Sequence, residues 1–168
     1  MTMNWHQYFF EMSKLAAKRS KDESTQCGAV IVGPSNEVRS TGYNSFPRGV
    51  VDDIKERQER PEKYDWIEHA ERNACYNAAR MGVSLMGCTI YQDWLPCADC
   101  ARAIIQCGIS KIVIDSQSYK NGNKEWDERW GRKLKIALQM LKEAGVTVSI
   151  YIHENESLKD YEEYRNEN

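Results

Sequence analysis

Two short motifs, HAE at residues 69–71 and PCADC at residues 96–100, constrain the fold of this chain more than any other feature of its sequence. Imidazole and thiolate groups suit zinc, and a site with three protein ligands leaves the fourth position open for water. Bound zinc lowers the pKa of that water towards neutrality. We therefore predict that His69, Cys97 and Cys100 bind one Zn²⁺ ion. Glu71 is not needed as a ligand, so it is free to move protons.

The secondary structure predicted between the motifs allows them to meet. Apolar residues at helical spacing predict a helix from Trp66 to about Met81, and from His69 onwards it carries the chain about 18 Å away. A turn and a predicted strand at residues 88–94 return the chain by roughly 20–25 Å. A second helix is predicted at residues 97–107, with Pro96 suited to its first turn. Both helix N-termini would point at the metal, where their partial positive charge favours thiolate and hydroxide.

Each motif alone has a more common explanation. A single His-x-Glu usually lies on a surface or caps a helix, and a single Cys-x-x-Cys can hold structural zinc or serve redox chemistry. Structural zinc usually has four protein ligands, whereas the other cysteines are scattered along the chain and are expected to be small buried residues. The two motifs together favour a catalytic site. These other cysteines are Cys27, Cys75, Cys88 and Cys107.

Composition excludes several classes of protein. The chain has 168 residues, enough for one domain with a substantial core, and a net charge of −2. That charge gives no general electrostatic reason to expect nucleic-acid or membrane binding. No apolar run approaches the roughly 20 residues of a membrane span, and no signal peptide is expected before the first helix. Six cysteines, two of them expected on metal, indicate a reducing cytoplasmic setting.

The order of the remaining elements predicts an α/β protein. An amphipathic helix at Trp5–Lys18 precedes a predicted hairpin at residues 27–32 and 37–42. After the metal motifs, strands at residues 111–115 and 146–152 flank a helix at residues 127–144. We predict a three-layer α/β/α fold, with a mixed five-stranded sheet, helices on both faces and helix-linked strands parallel. The expected domain is residues 1–152, followed by an acidic tail at residues 153–168.

Three polar segments have both an ordinary and a functional interpretation. The run at residues 18–22 is usually a solvated loop, but it precedes a buried-looking strand and could open over the site. Asn44 follows the second strand and is either a turn residue or a ligand for a sugar hydroxyl. The charged segment at residues 47–63 is by default a surface loop or short helix, although a loop this long often has a binding role.

The chain resembles the cytidine and deoxycytidylate deaminase superfamily, and within it the deoxycytidylate (dCMP) deaminases. The metal motifs match the signature of zinc nucleobase deaminases, and the resemblance covers roughly residues 5–151. Ser45 stands where the family often has Gly, and Cys27 where it often has Val. The stretches that carry the resemblance are RSKD at residues 19–22, CGA at 27–29, GYNSFPRG at 42–49, HAERNA at 69–74 and LPCADC at 95–100.

This resemblance implies hydrolytic deamination of dCMP to dUMP, which supplies thymidylate synthesis, by a homo-oligomer that is often a hexamer. It implies that Glu71 takes a proton from the zinc-bound water and passes it to N3 of the base. The family associates residues 42–49 with the allosteric effectors dCTP and dTTP, which bind with Mg²⁺. Expected substrate contacts are the backbone of Ala70 and Leu95 at the base, Asn44 at the sugar, and Ser20, Lys21 and Tyr119 at the phosphate.

Two alternatives remain open. The first is a deaminase of another substrate, such as free cytidine, a tRNA adenosine or a riboflavin precursor. The mildly acidic composition argues against tRNA, which requires a basic footprint. The second is a nucleotide-sensing or assembly module whose zinc is structural. Glu71 beside a three-ligand site argues against that reading.

Overall fold

The computed structural model describes residues 2–119 and 124–167, with side chains left out of the description at 124–130. Its elements alternate as the sequence predicts. None of the helices in these ranges combines the length and the hydropathy needed to cross a membrane. The helices are α1 (Trp5–Ala17), α2 (Lys55–Gln58), α3 (Lys63–Trp66), α4 (Ala70–Met81), α5 (Ala98–Gln106), α6 (Lys124–Glu143) and α7 (Tyr161–Glu167). The strands are β1 (Gly28–Val32), β2 (Val38–Tyr43), β3 (Thr89–Gln92), β4 (Lys111–Asp115), β5 (Thr147–Ile152) and β6 (Ser157–Asp160).

The strands form one mixed sheet in the order β2-β1-β3-β4-β5-β6. Strand β1 is antiparallel to both β2 and β3, and the helix-linked strands β3, β4 and β5 are parallel, as predicted. The predicted mixed α/β sheet is confirmed, but the predicted count of five strands is wrong, because β6 adds a sixth. β6 lies within the stretch expected to be an acidic tail and pairs antiparallel with β5, from Ile152↔Ser157 to Ser149↔Asp160. An edge strand needs no apolar alternation, so its polar sequence did not predict it.

Helices cover both faces of the sheet, as the three-layer prediction requires. On one face, Phe9 and Phe10 of α1 are fully buried against strand residues. Asn4 caps α1 by accepting a hydrogen bond from the Gln7 amide at 2.9 Å, and its Nδ2 donates to the Tyr151 hydroxyl at 2.8 Å. The opposite face carries α4, α5 and α6, whose buried residues meet Ile31, Ile90, Ile112, Ile114 and Ile150 of the sheet.

The helix predicted from Trp66 begins instead at Ala70. Glu68 forms an isolated antiparallel bridge with Ser45, with N–H···O distances of 2.8 and 3.0 Å, which holds the preceding residues extended. His69 is therefore the N-cap of α4, with φ −74° and ψ 155°. Cys97 is likewise the N-cap of α5, with φ −69° and ψ 170°. Two of the three predicted metal ligands, His69 and Cys97, thus stand just before a helix N-terminus.

Helix α4 lies directly on strand β2 at Gly42. A Cβ atom added there would lie 2.2 Å from the carbonyl oxygen of Ala70 and 2.4 Å from the amide nitrogen of Ala74. These are backbone atoms, so no side-chain rotation relieves the overlap. On the same strand, Ser40 Oγ donates to the Ala74 carbonyl at 2.7 Å. Gly42 therefore sets the distance between the sheet and the helix that follows His69.

We expect Gly42→Ala to lower the free energy of unfolding by about 1–3 kcal/mol, because overpacking displaces α4 from β2. Urea denaturation followed by circular dichroism measures this change. Thr41→Ser is the matched control, since Thr41 is the exposed neighbour on the same strand and should alter stability by no more than about 0.5 kcal/mol. Equal stability of Gly42→Ala and the parent protein would contradict the close approach.

Candidate metal centre and cavity

The structure brings His69, Cys97 and Cys100 together. The Nδ1 atom of His69 lies 3.7 Å from Cys97 Sγ and 3.5 Å from Cys100 Sγ, and the two sulfur atoms are 3.6 Å apart. Among the residues that the structure describes, these three side chains form the only such group of potential metal ligands. Cys100 lies one turn into α5, so its thiol returns to the N-terminal end of the helix beside Cys97.

These distances fit zinc. With Zn–S bonds of about 2.3 Å and Zn–N bonds of about 2.0–2.1 Å, tetrahedral coordination separates the ligand atoms by about 3.5–3.8 Å. One imidazole and two thiolates supply three ligands and leave one position for water or substrate. The nitrogen and sulfur donors also suit zinc better than the oxygen-preferring Mg²⁺ or Ca²⁺.

Arg72, in the first turn of α4, faces the two cysteines. Its Nη1 lies 3.3 Å from Cys100 Sγ and 3.7 Å from Cys97 Sγ, and its guanidinium also forms an ion pair with Glu68. Hydrogen bonding to Cys100, followed by that to His69, outweighs burial and lowers the pKa of the Cys97 thiol to about 3. The hydrogen bond with Cys97, followed by burial, raises the pKa of the Cys100 thiol. Arg72 is therefore placed to offset negative charge at the paired sulfur atoms. The sequence analysis did not assign it this role, and the Glu68–Arg72 spacing of four residues was the available signal.

Glu71 lies in the first turn of α4 and lines the same cavity as His69 and Cys97. Burial is the main cause that raises the pKa of its carboxyl above the ordinary value, and the charge of His69 partly opposes that rise. A carboxyl group with a raised pKa accepts and returns a proton more readily near neutral pH. The position and chemistry of Glu71 therefore suit proton transfer beside the metal ligands.

The cavity beside these residues has a volume of about 300 Å³. Four of the predicted substrate contacts line it, namely Asn44, Ala70, Leu95 and Tyr119. Two others do not line it. Ser20 is buried and its Oγ accepts a hydrogen bond from the Asp22 amide at 3.2 Å, while the exposed Lys21 pairs with Asp52 at 2.8 Å. The other lining residues are Asp22, Thr25, Cys27, Gly28, Arg60, Lys63, Tyr64, Ile67, Gln92, Asp93, Trp94 and Leu134, together with His69, Glu71 and Cys97.

The Asn44 amide is held from both sides. Its Oδ1 accepts from the Cys27 amide at 2.8 Å, and its Nδ2 donates to the Thr25 carbonyl at 2.8 Å. Tyr119 is positioned differently, because its hydroxyl lies 2.9 Å from that of Tyr161 in α7. The C-terminal segment therefore supports one wall of the cavity.

A buried ion pair crosses the cavity wall, and the sequence analysis did not anticipate it. Lys63 Nζ donates to Asp22 Oδ2 at 2.7 Å and to Ser24 Oγ at 2.6 Å, and both charged side chains are almost fully buried. Burial would raise the pKa of Asp22, but hydrogen bonds from Lys63 and Ser24 outweigh it and lower that pKa. The pair ties the first residue of α3 to the loop after α1. Nothing in the sequence distinguishes Lys63 from the other charged residues around it.

Two polar residues at the end of β3 were also missed. Asp93 is a carboxyl in the cavity wall, and burial, followed by the charge of Asp115, raises its pKa to about 6. Gln92 donates from Nε2 to the Trp94 carbonyl at 2.6 Å, while its buried Oε1 has no partner among the described residues. Both residues lie in the stretch predicted simply as a strand, residues 88–94, and no spacing marked them as site residues.

Comparisons with known proteins place this geometry in a family. The model of the cytidine and deoxycytidylate deaminase zinc-binding region matches residues 3–116. An uncharacterised deaminase from the luxG 3′ region of Aliivibrio fischeri is 40% identical over 149 residues, which cover 89% of this chain and 95% of that protein. Mouse deoxycytidylate deaminase is 36% identical over 127 residues, covering 73% of this chain and 70% of the mouse protein.

A solved structure shares the fold. The crystal structure of dCMP deaminase from the cyanophage S-TIM5, in complex with dCMP and dUMP, aligns with a TM-score of 0.67 at 22% identity. The alignment covers 89% of this chain and 98% of the cyanophage chain. From the family match, the identities to curated relatives and the arrangement of the HAE and PCADC motifs, this chain belongs to the cytidine and deoxycytidylate deaminase family.

Proposed function

We propose that this protein is a zinc-dependent enzyme that deaminates dCMP to dUMP and ammonia, and so supplies dUMP for thymidylate synthesis. The observation that carries the proposal is the convergence of His69, Cys97 and Cys100 on one side of a cavity that Glu71 also lines. Family membership and the relatedness to mouse deoxycytidylate deaminase support dCMP as the substrate.

The proposed chemistry is hydrolysis at C4 of the cytosine ring. Zinc, held by His69, Cys97 and Cys100, would lower the pKa of a water molecule when bound. Glu71 takes a proton from the attacking water and delivers it to N3 of the base, and a C–O bond forms at C4. Glu71 then takes the proton of the new C4 hydroxyl group and passes it to the amino group, so that the C4–N4 bond breaks, the C4 carbonyl of uracil forms and ammonia leaves dUMP. The positive guanidinium of Arg72 offsets the negative charge of the two sulfur ligands during these steps.

The cavity wall supports the proposed placement of the substrate. Ala70 and Leu95 lie next to the metal ligands in sequence and line the cavity, so their backbone groups are suited to orient the base. Asn44 lines the cavity too, in a fixed orientation suited to a sugar hydroxyl. The proposed phosphate roles of Ser20, Lys21 and Tyr119 rest on the family resemblance, and of the three only Tyr119 lines the cavity.

We also propose the assembly and regulation that the resemblance implies. The protein would be a cytoplasmic homo-oligomer, with a hexamer as the expected form, regulated by dCTP and dTTP with Mg²⁺. The support is the similarity of residues 42–49 to the effector-binding segment of the family. The described cysteines are all free, which suits a reducing compartment. In this chain Ser45 is engaged, because its Oγ accepts a hydrogen bond from Asn73 at 3.1 Å.

The proposed ligand set predicts that Cys97→Ala loses most of its zinc, since two remaining ligands hold the ion poorly. Metal analysis of the purified protein by mass spectrometry tests this expectation. Cys88→Ala removes another buried thiol, outside the ligand group, and should retain one zinc per chain. Full zinc occupancy in Cys97→Ala would overturn the assignment.

The proposed reaction predicts equal amounts of dUMP and ammonia from dCMP. Glu71→Gln should retain zinc but lose at least about a hundredfold in kcat, because the amide cannot carry the proton. Asp99→Asn is the matched control, since this exposed carboxylate pairs with Arg102 near the cysteines and its loss should leave turnover near the parent's. Absence of dUMP from the zinc-loaded parent protein would reject dCMP as the substrate, and near-parental activity in Glu71→Gln would reject the proton role.

The proposed regulation predicts that dCTP activates and dTTP inhibits, because each effector stabilises a different conformational state. Initial rates across a range of dCMP concentrations, with Mg²⁺ and each triphosphate, measure the effect. Mg²⁺ alone and Mg²⁺ with ATP are the controls. Rate curves that neither dCTP nor dTTP alters would rule out this regulation.

A further inference from the structure

A nucleoside monophosphate carries its charge on the phosphate, and the cavity must meet that charge with a cation. This requirement rests on the proposed function. Among the residues that the structure describes, the cationic side chains that line the cavity are Arg60 and Lys63, apart from the metal-site residue His69. The two differ in what they already bind, and that difference decides which of them is available to a ligand.

Lys63 is already neutralised. Its ammonium group donates to Asp22 at 2.7 Å and to Ser24 at 2.6 Å, and the residue is only 4% exposed. A buried ammonium paired in this way would have to abandon an equally buried carboxylate to bind a phosphate, which is costly. Lys63 therefore serves the protein's own structure and fixes the neighbouring residues of the cavity wall.

Arg60 has no such partner. It lies three residues before Lys63, is exposed, and has no ion pair or hydrogen bond with the described part of the chain. Nearby arginines are engaged elsewhere. Arg57 stacks on the Trp66 ring at 4.0 Å and donates to the Val51 carbonyl at 3.1 Å, while Arg48 donates to Asn77. Among the described residues, Arg60 is thus the cation of the cavity wall that has no ion-pair or hydrogen-bond partner.

The position of Arg60 also matches the shape of a nucleotide. The base must reach the buried metal ligands at the inner end of the cavity, and the 5′-phosphate is attached at the far side of the sugar. We therefore expect the phosphate to lie towards the exposed residues of the lining, and Arg60 is one of these. Lys21 does not line the cavity, and its ammonium group pairs with Asp52 at 2.8 Å.

We propose that Arg60 binds the 5′-phosphate of the substrate and makes the enzyme selective for nucleoside monophosphates over free nucleosides. A guanidinium group can donate two parallel hydrogen bonds to a phosphate, and it stays charged at every working pH. The Lys63–Asp22 pair holds the adjoining chain in place, so the Arg60 backbone is anchored while its side chain remains free to meet the ligand.

The test is calorimetric titration of the zinc-loaded protein with dUMP and with deoxyuridine, which differ only in the phosphate. Arg60→Ala should raise the Kd for dUMP by about tenfold to a hundredfold, the loss expected for a charge-assisted contact. The Kd for deoxyuridine should not change. Arg60→Lys should retain part of the affinity, and Arg60→Gln, which keeps polarity without charge, should resemble Arg60→Ala.

Two further variants serve as controls. Lys55→Ala removes a cation from the same segment, and the 86% exposed Lys55 side chain does not line the cavity, so dUMP binding should remain parental. Lys21→Ala tests the contact implied by family resemblance. Unchanged dUMP affinity in Arg60→Ala, or a loss confined to Lys21→Ala, would overturn the proposal. Equal losses for dUMP and deoxyuridine in Arg60→Ala would also overturn it, because they would indicate a structural role.

The same proteins separate this inference from the proposed reaction. A parent protein that binds dUMP through Arg60 but releases no ammonia from dCMP would reject the deaminase function and leave the phosphate contact supported. A parent protein that turns over dCMP and deoxycytidine with equal kcat/KM would retain deamination and overturn the role of Arg60. If both the deaminase function and the phosphate contact are correct, Arg60→Ala will lower kcat/KM for dCMP and leave kcat/KM for deoxycytidine unchanged.

Discussion

The site depends on the contact between the backbone of strand β2 and that of helix α4. Gly42 allows α4 to approach until its first turn lies against the sheet, and the Ser45–Glu68 bridge holds the chain extended up to His69. This arrangement makes His69 an N-cap rather than a helical residue, so that it faces Cys97, the N-cap of α5. A small displacement of α4 would separate one metal ligand from the other two.

Groups outside the candidate metal-ligand set offset the negative charge of its two sulfur atoms. The N-termini of α4 and α5 both contribute partial positive charge, and Arg72 adds a full one beside the thiolates. Glu71, in the same first turn of α4, is buried enough for its pKa to be raised. One helix turn therefore carries both the group that stabilises the ligands and the group suited to move protons. Its attachment to β2 fixes their relative positions.

The charged segment between β2 and α4 completes the cavity. Its anchor is Lys63, whose pairing with Asp22 joins it to the loop after α1, and a second ion pair between Lys21 and Asp52 links the same two regions at the surface. The buried pair gives the wall a defined shape, whereas the exposed pair contributes little energy. Both regions contain acidic and basic residues in similar proportions. The sequence alone therefore does not reveal which of these charges form ion pairs.

The sequence by itself predicted the candidate metal-ligand group, the glutamate beside it and the mixed α/β order, because these depend on residue chemistry and on local periodicity. His69, Cys97 and Cys100 were predictable as a group since few residue types bind zinc, and a helix and strand of matched length must reunite them. Only the tertiary structure decided which cations face the cavity, that Arg72 meets the thiolates, and that the polar stretch Ser157–Asp160 extends the sheet. Those outcomes depend on contacts between residues distant in the chain, for which a charged or polar side chain carries no local signal.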